Sequence, residues 1–358
     1  EADRYLAQVS IPSRLRAWLE LLRVPNLPTV ASNAVLGAWL GFAAQGRLPS
    51  LPLAGWLDLG AARAGGFELR DLFIIVHVAA GLCALYLVGL VLNDLLDLST
   101  DRRERPNRPL PSGRIVPWQA TLAAIALLAA GVWLLLSVNR SPLLVGLVSA
   151  LVAAIVLYDL FHRHVSLAVV LPALCRGLAV LVAAAATFPS DAFEDRWLPV
   201  EGRELAVVLV PAAVLAIFVL AVSVVARREV EAVSPQGSRV AVRTDLRRGP
   251  WWVVASGLLA LVPAVMLGAP AWTPELADPF GSMQLLRSVV VLALLGVWLF
   301  LATRWTPQTP VPKLVGRWLG SLCILDAVML APLGPLPAAL CVGLFAASAL
   351  LARRFAGS

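Results

Sequence analysis

Charge is scarce in this chain. Only 14% of its 358 residues are Asp, Glu, Lys or Arg, whereas 59% are hydrophobic and the mean hydropathy is +0.83. No soluble domain of this size hides so much apolar surface, so the composition excludes one and requires an all-α polytopic membrane protein. Cysteine is equally sparse: Cys83, Cys175, Cys323 and Cys341 all sit inside apolar runs. They have neither metal-ligand spacing nor a disulfide framework and read as small buried hydrophobes, which argues against redox chemistry. No internal repeat is evident, so the matched, broken halves common in transporters are missing as well. The first ten residues are polar and no cleavable leader is expected ahead of the first long apolar run.

What is abundant is apolar sequence in lengths that span a bilayer. Such runs cover roughly 24–43, 71–93, 117–138, 141–161, 166–188, 204–226, 250–270, 284–303, 313–331 and 335–354. The last two are separated only by Pro332, Leu333, Gly334 and Pro335, as a tight turn or an interruption, so nine to ten spans are expected. Segments 46–70 and 189–203 are polar loops without the look of a separate domain.

The net charge of +7 and pI near 10 come from basic residues scattered among these loops, where they meet lipid headgroups and not nucleic acid. Their distribution is one-sided. Arg47, Arg63, Arg70, Arg140, Arg196 and Arg203 are all that the loops on one side carry, and the N-terminal segment with the loops after spans two, four, six and eight holds far more. The positive-inside rule then predicts a cytoplasmic N-terminus, with 94–114, 162–165 and 227–249 converging on the cytoplasmic face.

The charges that do occur are concentrated. Residues 92–114 read L-N-D-L-L-D-L-S-T-D-R-R-E-R-P-N-R-P-L-P-S-G-R, three aspartates and five arginines at the end of a long apolar run. Asp94, Asp97 and Asp101 fall at i, i+3 and i+7, along one face if the helix continues, with Asn93 beside them. Stacked carboxylates at a helix C-terminus repel one another and face the negative end of the helix dipole, so a cation must offset them. Magnesium fits, because it takes one or two carboxylates together with water and phosphate oxygens. The plainer alternative is a solvated loop in which the aspartates pair with Arg102, Arg103 and Arg105.

The pattern Asn-Asp-x-x-Asp-x-x-x-Asp followed by Arg-Pro-x-Arg-Pro-Leu-x-x-Gly resembles the first aspartate-rich motif of the UbiA superfamily of intramembrane prenyltransferases. It is carried by Asn93, Asp94, Asp97, Asp101, Arg105, Pro106, Arg108, Pro109, Leu110 and Gly113. In the same order along the chain, Leu22-Arg23-Val24-Pro25-Asn26-Leu27-Pro28-Thr29 with Asn33 resembles the family's opening signature, Tyr158-Asp159 closes the fourth span, and Arg176-Gly177 lies in the fifth. Two features depart. Where members usually carry a second aspartate-rich motif, this chain reads V-A-R-R-E-V-E-A-V-S-P-Q-G-S-R, with Glu229 and Glu231 as its only carboxylates and Arg227, Arg228 and Arg239 around them. After Tyr158-Asp159, a lysine common in the family gives way to His162, Arg163 and His164. Both changes resemble a divergent, EboC-like branch.

The resemblance implies one domain over 1–358, with the helices bundled around a central apolar chamber under a cytoplasmic polar cap in a bacterial inner membrane. It implies magnesium-dependent transfer of an isoprenyl group from an isoprenoid diphosphate to an unidentified small polar or aromatic acceptor. A terpene cyclase, or a non-catalytic binder or transporter of isoprenoid lipids, would use the same scaffold. In this scheme Asp94, Asp97, Asp101, Glu229 and Glu231 hold metal; Arg105, Arg108, Arg176, Arg228 and His162 contact phosphate. Asn33, Asn93 and Tyr158 contact diphosphate or acceptor, and Asp159 takes the acceptor's proton. Asp326, intramembrane but outside these motifs, is expected to be a hydrogen-bonding group between helices.

Overall fold

The computed structural model describes residues 13–47, 68–161, 165–193, 200, 202–231, 251–268, 282–303 and 311–355. These residues are helical, with no strand among them. A short amphipathic helix, α1 (Ser13–Leu21), precedes a 3-10 turn (Val24–Asn26) and the first spanning helix, α2 (Leu27–Ala44). Then follow α3 (Leu69–Leu96), α4 (Leu98–Glu104), α5 (Pro117–Val138), α6 (Pro142–Phe161), α7 (Val165–Ala185) and α8 (Gly202–Glu231). The C-terminal part holds α9 (Trp251–Leu258), α10 (Leu261–Gly268), α11 (Ser282–Thr303), α12 (Val311–Gly320), α13 (Leu322–Leu330) and α14 (Pro335–Phe355).

Eight helical stretches among the described residues are long and apolar enough to cross a bilayer, and two shorter ones, Trp251–Leu267 and Arg287–Thr303, coincide with the expected seventh and eighth spans. The seventh is broken by a turn at Leu259 and Ala260. Pro263 lies four residues beyond Leu259 and has no N–H to give its carbonyl, which is why the helix restarts there. Between the last two spans a 3-10 turn (Ala331–Leu333) and Gly334, at φ 150°, reverse the chain, so α13 and α14 are two packed helices and not one interrupted segment.

The hub of the bundle is α2, packed against α3, α7, α8, α13 and α14. In its spanning window 83% of the residues are buried, against 17% in α5, which places α2 at the centre and α5 at the perimeter. The composition of α2 permits this. Gly37 and Gly41 are four residues apart on one face, and a Cβ on Gly37 would stand 2.3 Å from the Val180 carbonyl oxygen. A Cβ on Gly41 would stand 2.3 Å from Thr187 Oγ1, so α7 approaches α2 at backbone contact. Outward faces carry large apolar side chains such as Trp133 (65% exposed) and Leu292 (63%), as a lipid-facing surface requires. The chain is therefore an integral membrane protein.

The helix ends away from the aspartate-rich loop are closed by local polar contacts. Glu68 and Asp71 form a reciprocal capping box at the start of α3, and Arg47 pairs with Asp71 at 3.2 Å. Asn139 Nδ2 donates toward the carbonyls of Ala186 and Phe188 (3.0 and 3.1 Å), satisfying acceptors that the end of α7 leaves open.

Candidate functional site

The three aspartates do not share one uninterrupted helix face. α3 stops at Leu96, and Asp97, at φ −87° and ψ 2°, caps it before the single short helix α4 begins. A row of carboxylates continuing a C-terminal turn would add repulsion to the unfavourable dipole, and the break at Asp97 relieves both. The chain then folds back through turns: Ser112 N–H donates to the Arg108 carbonyl (3.0 Å) and Gly113, at φ 75°, to Leu110 (3.1 Å). Leu110 and Ile115 are 3% and 1% exposed in a cluster with Leu21, Val91 and Ala120, so the loop is anchored and not a solvated flap. Arg114 ties it to α1 through Glu20 at 2.7 Å.

This fold-back brings Asp94 and Asp101, each 5% exposed, to one cation. Arg108 Nη1 lies 2.6 Å from Asp101 Oδ2 and 3.7 Å from Asp94 Oδ1, and Arg23 Nη2 lies 2.9 Å from Asp94 Oδ1. The pairing differs from both sequence expectations. The partners are not Arg102, Arg103 and Arg105, and Arg108, expected on phosphate, clamps the carboxylates. Arg105 is exposed at the end of α4. Arg102 and Arg103 face outward on that helix, whereas Arg108 lies beyond the turn that reverses the chain over Asp101.

Arg23 joins this cluster from outside the aspartate-rich loop. It has the only positive φ among the described non-glycine residues (43°), a sparsely populated conformation that turns the chain from α1 toward α2 and brings its side chain to Asp94. The one signal of it in the sequence is its place in the opening signature.

Beneath this cap lies a cavity of about 730 Å³ between α2, α3, α6, α7, α8 and α12. Arg23, Asn93, Tyr158 and Arg227 line it at the end where α3, α6 and α8 finish and α2 begins. Leu82, Leu85, Leu151, Ala179, Val219 and Val222 line the remainder, so the chamber is polar at its mouth and apolar within. Arg176 also lines it, with Tyr86, whose ring centroid is 5.6 Å from the guanidinium carbon. Tyr86 in turn accepts from Asn26 Nδ2 at 3.3 Å. Asp159, 1% exposed, stands behind the wall at Gly89, where a Cβ would come 3.9 Å from its Oδ2.

Asn33, expected to touch diphosphate or acceptor, does not line the chamber. It is fully buried behind Arg176, accepting from Nη1 at 2.7 Å and donating to Asp326 at 2.8 Å. The side chains of Arg228, Glu229 and Glu231, and all of His162, lie outside the described residues.

A magnesium ion would meet two of the described carboxylates here, Asp94 and Asp101. Among the described residues no three His, Cys, Asp or Glu side chains converge on one point, so a full protein cage is not formed. One nitrogen of Arg108 nevertheless draws Asp94 and Asp101 to itself, and a hard dication suits the same pair of oxygen donors. Magnesium usually takes one or two carboxylates and completes its shell with water and phosphate oxygens, so the donor set fits.

The profile of the UbiA prenyltransferase family matches residues 50–313. Among curated proteins, a digeranylgeranylglyceryl phosphate synthase of Methanopyrus kandleri is 33% identical over 132 residues, 37% of this chain and 39% of that protein. One of Ignicoccus hospitalis is 35% identical over 145 residues, 40% and 38% of the two chains. The matched stretch thus spans about two fifths of these relatives' length. Among solved structures, a UbiA homolog from Aeropyrum pernix K1 shares the fold with a TM-score of 0.52 at 16% identity, over 85% of this chain and 96% of that one. A UbiA homolog from Archaeoglobus fulgidus bound to GPP and Mg2+ gives 0.50 at 17% identity, over 92% and 99%.

Proposed function

Because this chain belongs to the UbiA prenyltransferase family, we propose that it transfers an isoprenyl group from an isoprenoid diphosphate to a small acceptor at the membrane surface. The observation that carries the proposal is a 730 Å³ chamber, apolar within and cationic at its mouth, directly under the Asp94–Arg108–Asp101 cluster. An isoprenoid tail needs the first part and a diphosphate the second.

Arg23 and Arg227 at the mouth, with Arg105 and Arg108 on the loop, provide charge-assisted donors for phosphate oxygens. Asp94 and Asp101 would hold magnesium, with Asp97 between them in sequence and Glu229 and Glu231, at the end of α8, as further candidate carboxylates. When bound, the metal supplies positive charge that stabilises the departing diphosphate. The walls of α3, α6, α7 and α8 exclude water from C1 of the allylic group, so that the acceptor and not water captures it. Asn93 and Tyr158 line the mouth where the acceptor must enter, whereas Asp159, buried behind the wall at Gly89, is not placed to take the acceptor's proton directly. Arg176, deeper in the wall, contacts a phosphate. Arg228, near the end of α8, and His162 are the remaining candidates for phosphate contact.

The relatives' names put a glyceryl phosphate first among the acceptors to try. We place the mouth on the cytoplasmic side of the membrane, from the basic bias of the loops. The test is diphosphate release by the purified protein in lipid, given isoprenoid diphosphates of ten to twenty carbons with magnesium or with chelator. Release that requires both magnesium and an acceptor supports the transferase. Release without acceptor identifies a cyclase or hydrolase, and binding without release identifies a lipid carrier; either overturns the proposal.

A further inference from the structure

Two buried polar residues fall outside the stretch that matches the family, one at each end of it. Asn33 on α2 and Asp326 on α13 are both 0% exposed, in helices that pack together. Asp326 Oδ2 accepts from Ser32 Oγ at 2.5 Å and from Asn33 Nδ2 at 2.8 Å. Its Oδ1 has no hydrogen-bond partner among the described residues. Asn33 Oδ1 accepts from Arg176 Nη1 at 2.7 Å, and Thr29 takes the guanidinium from the same helix, its carbonyl at 3.3 Å from Nη1 and its Oγ1 at 3.2 Å from Nη2.

An arginine in an apolar span is costly unless it meets a partner or a polar space. Among the described residues no carboxylate pairs with Arg176 directly; Asp326 is joined to it through one amide. That amide is directional. An ionised carboxylate is acceptor-only, so it can take only the Nδ2 end of Asn33, and the Oδ1 end must then face Arg176. Without Asp326 the amide is free to turn, and its N–H groups toward a guanidinium would repel it. Three hydrogen bonds donated to α2, and the Tyr86 ring, fix the guanidinium plane, and further N–H donors remain for a ligand in the chamber.

We propose that Asp326 is a positioning residue: through the Asn33 amide it holds Arg176 in the orientation in which the guanidinium meets a phosphate group of the substrate. This rests on the prenyltransferase reading only in taking an isoprenoid diphosphate as the ligand. A residue that merely joined α2 to α13 would affect stability and leave ligand affinity alone.

The experiment measures binding of geranylgeranyl diphosphate, with magnesium, to the full chain in lipid, alongside thermal unfolding. Asp326→Leu is expected to weaken binding about tenfold, the size of one charge-assisted hydrogen bond turned out of alignment. Asp326→Asn keeps one carbonyl acceptor for Ser32 and Asn33 and is expected to restore affinity to within about threefold. In Arg176→Leu the loss already includes that of Asp326→Leu, so the double variant is no weaker than Arg176→Leu alone. Should Asp326→Leu fail to fold, Asn33→Leu/Asp326→Leu replaces both buried partners by apolar side chains and should fold while still binding about tenfold more weakly. Wild-type affinity in these folded variants, or losses that add to that of Arg176→Leu, overturns the positioning role alone. No binding by the wild-type chain overturns the isoprenoid diphosphate reading and this proposal with it.

Discussion

Asp94 and Asp101 are seven residues apart and share a single guanidinium nitrogen. Each is 5% exposed, whereas their partners Arg23 and Arg108 are 39% and 28% exposed at the side chain. The carboxylates are thus sheltered and the cations face the chamber mouth and solvent, an arrangement in which the arginines can be drawn toward an incoming anion. Asp94→Asn and Asp101→Asn keep the shape of the side chain and remove the charge. Turnover should fall at least about 100-fold, the scale seen when one preorganised electrostatic interaction is removed. Because both arginines are partly solvated, stability should change by no more than about 1 kcal/mol. Steady-state diphosphate release together with thermal unfolding checks both; wild-type turnover in either variant removes these residues from the site. The carboxylates were legible in the sequence because their spacing is local. Arg23 was not, because its contact with Asp94 spans 71 residues and depends on one left-handed residue turning the chain.

Among the elements, α2 is decisive. It brings Thr29 and Asn33 to Arg176 and begins just after Arg23, where the chamber opens. Its depth in the bundle depends on Gly37 and Gly41, since the Val180 carbonyl oxygen occupies the space where a side chain at Gly37 would start. Gly37→Val should push α7 away from α2 and destabilise the protein by about 2 kcal/mol or more, by forced overpacking against backbone. Gly146→Ala, on α6 with nothing within 4 Å of the added carbon, should be neutral or stabilising by up to about 1 kcal/mol. Unfolding midpoints in one lipid system compare the two. A Gly37→Val variant as stable as the parent would show that the α2–α7 contact does not set the bundle. Hydropathy located both helices to within a few residues, yet apolarity is the same on every side of α2 and cannot say that it lies at the centre. The missing side chains at two glycines on one face are what let another helix in.

At the scale of the whole molecule, the bundle presents apolar side chains outward and sets a cluster of polar groups at the chamber mouth. The basic bias of the loops predicts that this mouth faces the cytoplasm. Ser112 is exposed on the aspartate-rich loop, and the four native cysteines are buried or half-buried. A Ser112→Cys variant should therefore react with a membrane-impermeant maleimide in inverted vesicles and remain unlabelled in intact cells. The opposite pattern would invert the orientation and place the chamber mouth outside.

Hydropathy and local spacing by themselves determine that this chain spans a membrane, where its helices run, and which aspartates and arginines crowd one loop. Those properties are additive along the sequence or repeat within a helical turn, so they can be read without folding it. Only the tertiary structure decides that Arg108 and Arg23 hold the carboxylates, that Asn33 stands behind the chamber wall, and that Asp326 reaches Arg176 through it. Apart from Arg108 and Asp101, seven residues apart, such contacts join residues more than ten and up to nearly three hundred positions apart. They form because burying a charge in an apolar bundle is costly until another helix supplies its partner, and which helix does so is settled by packing.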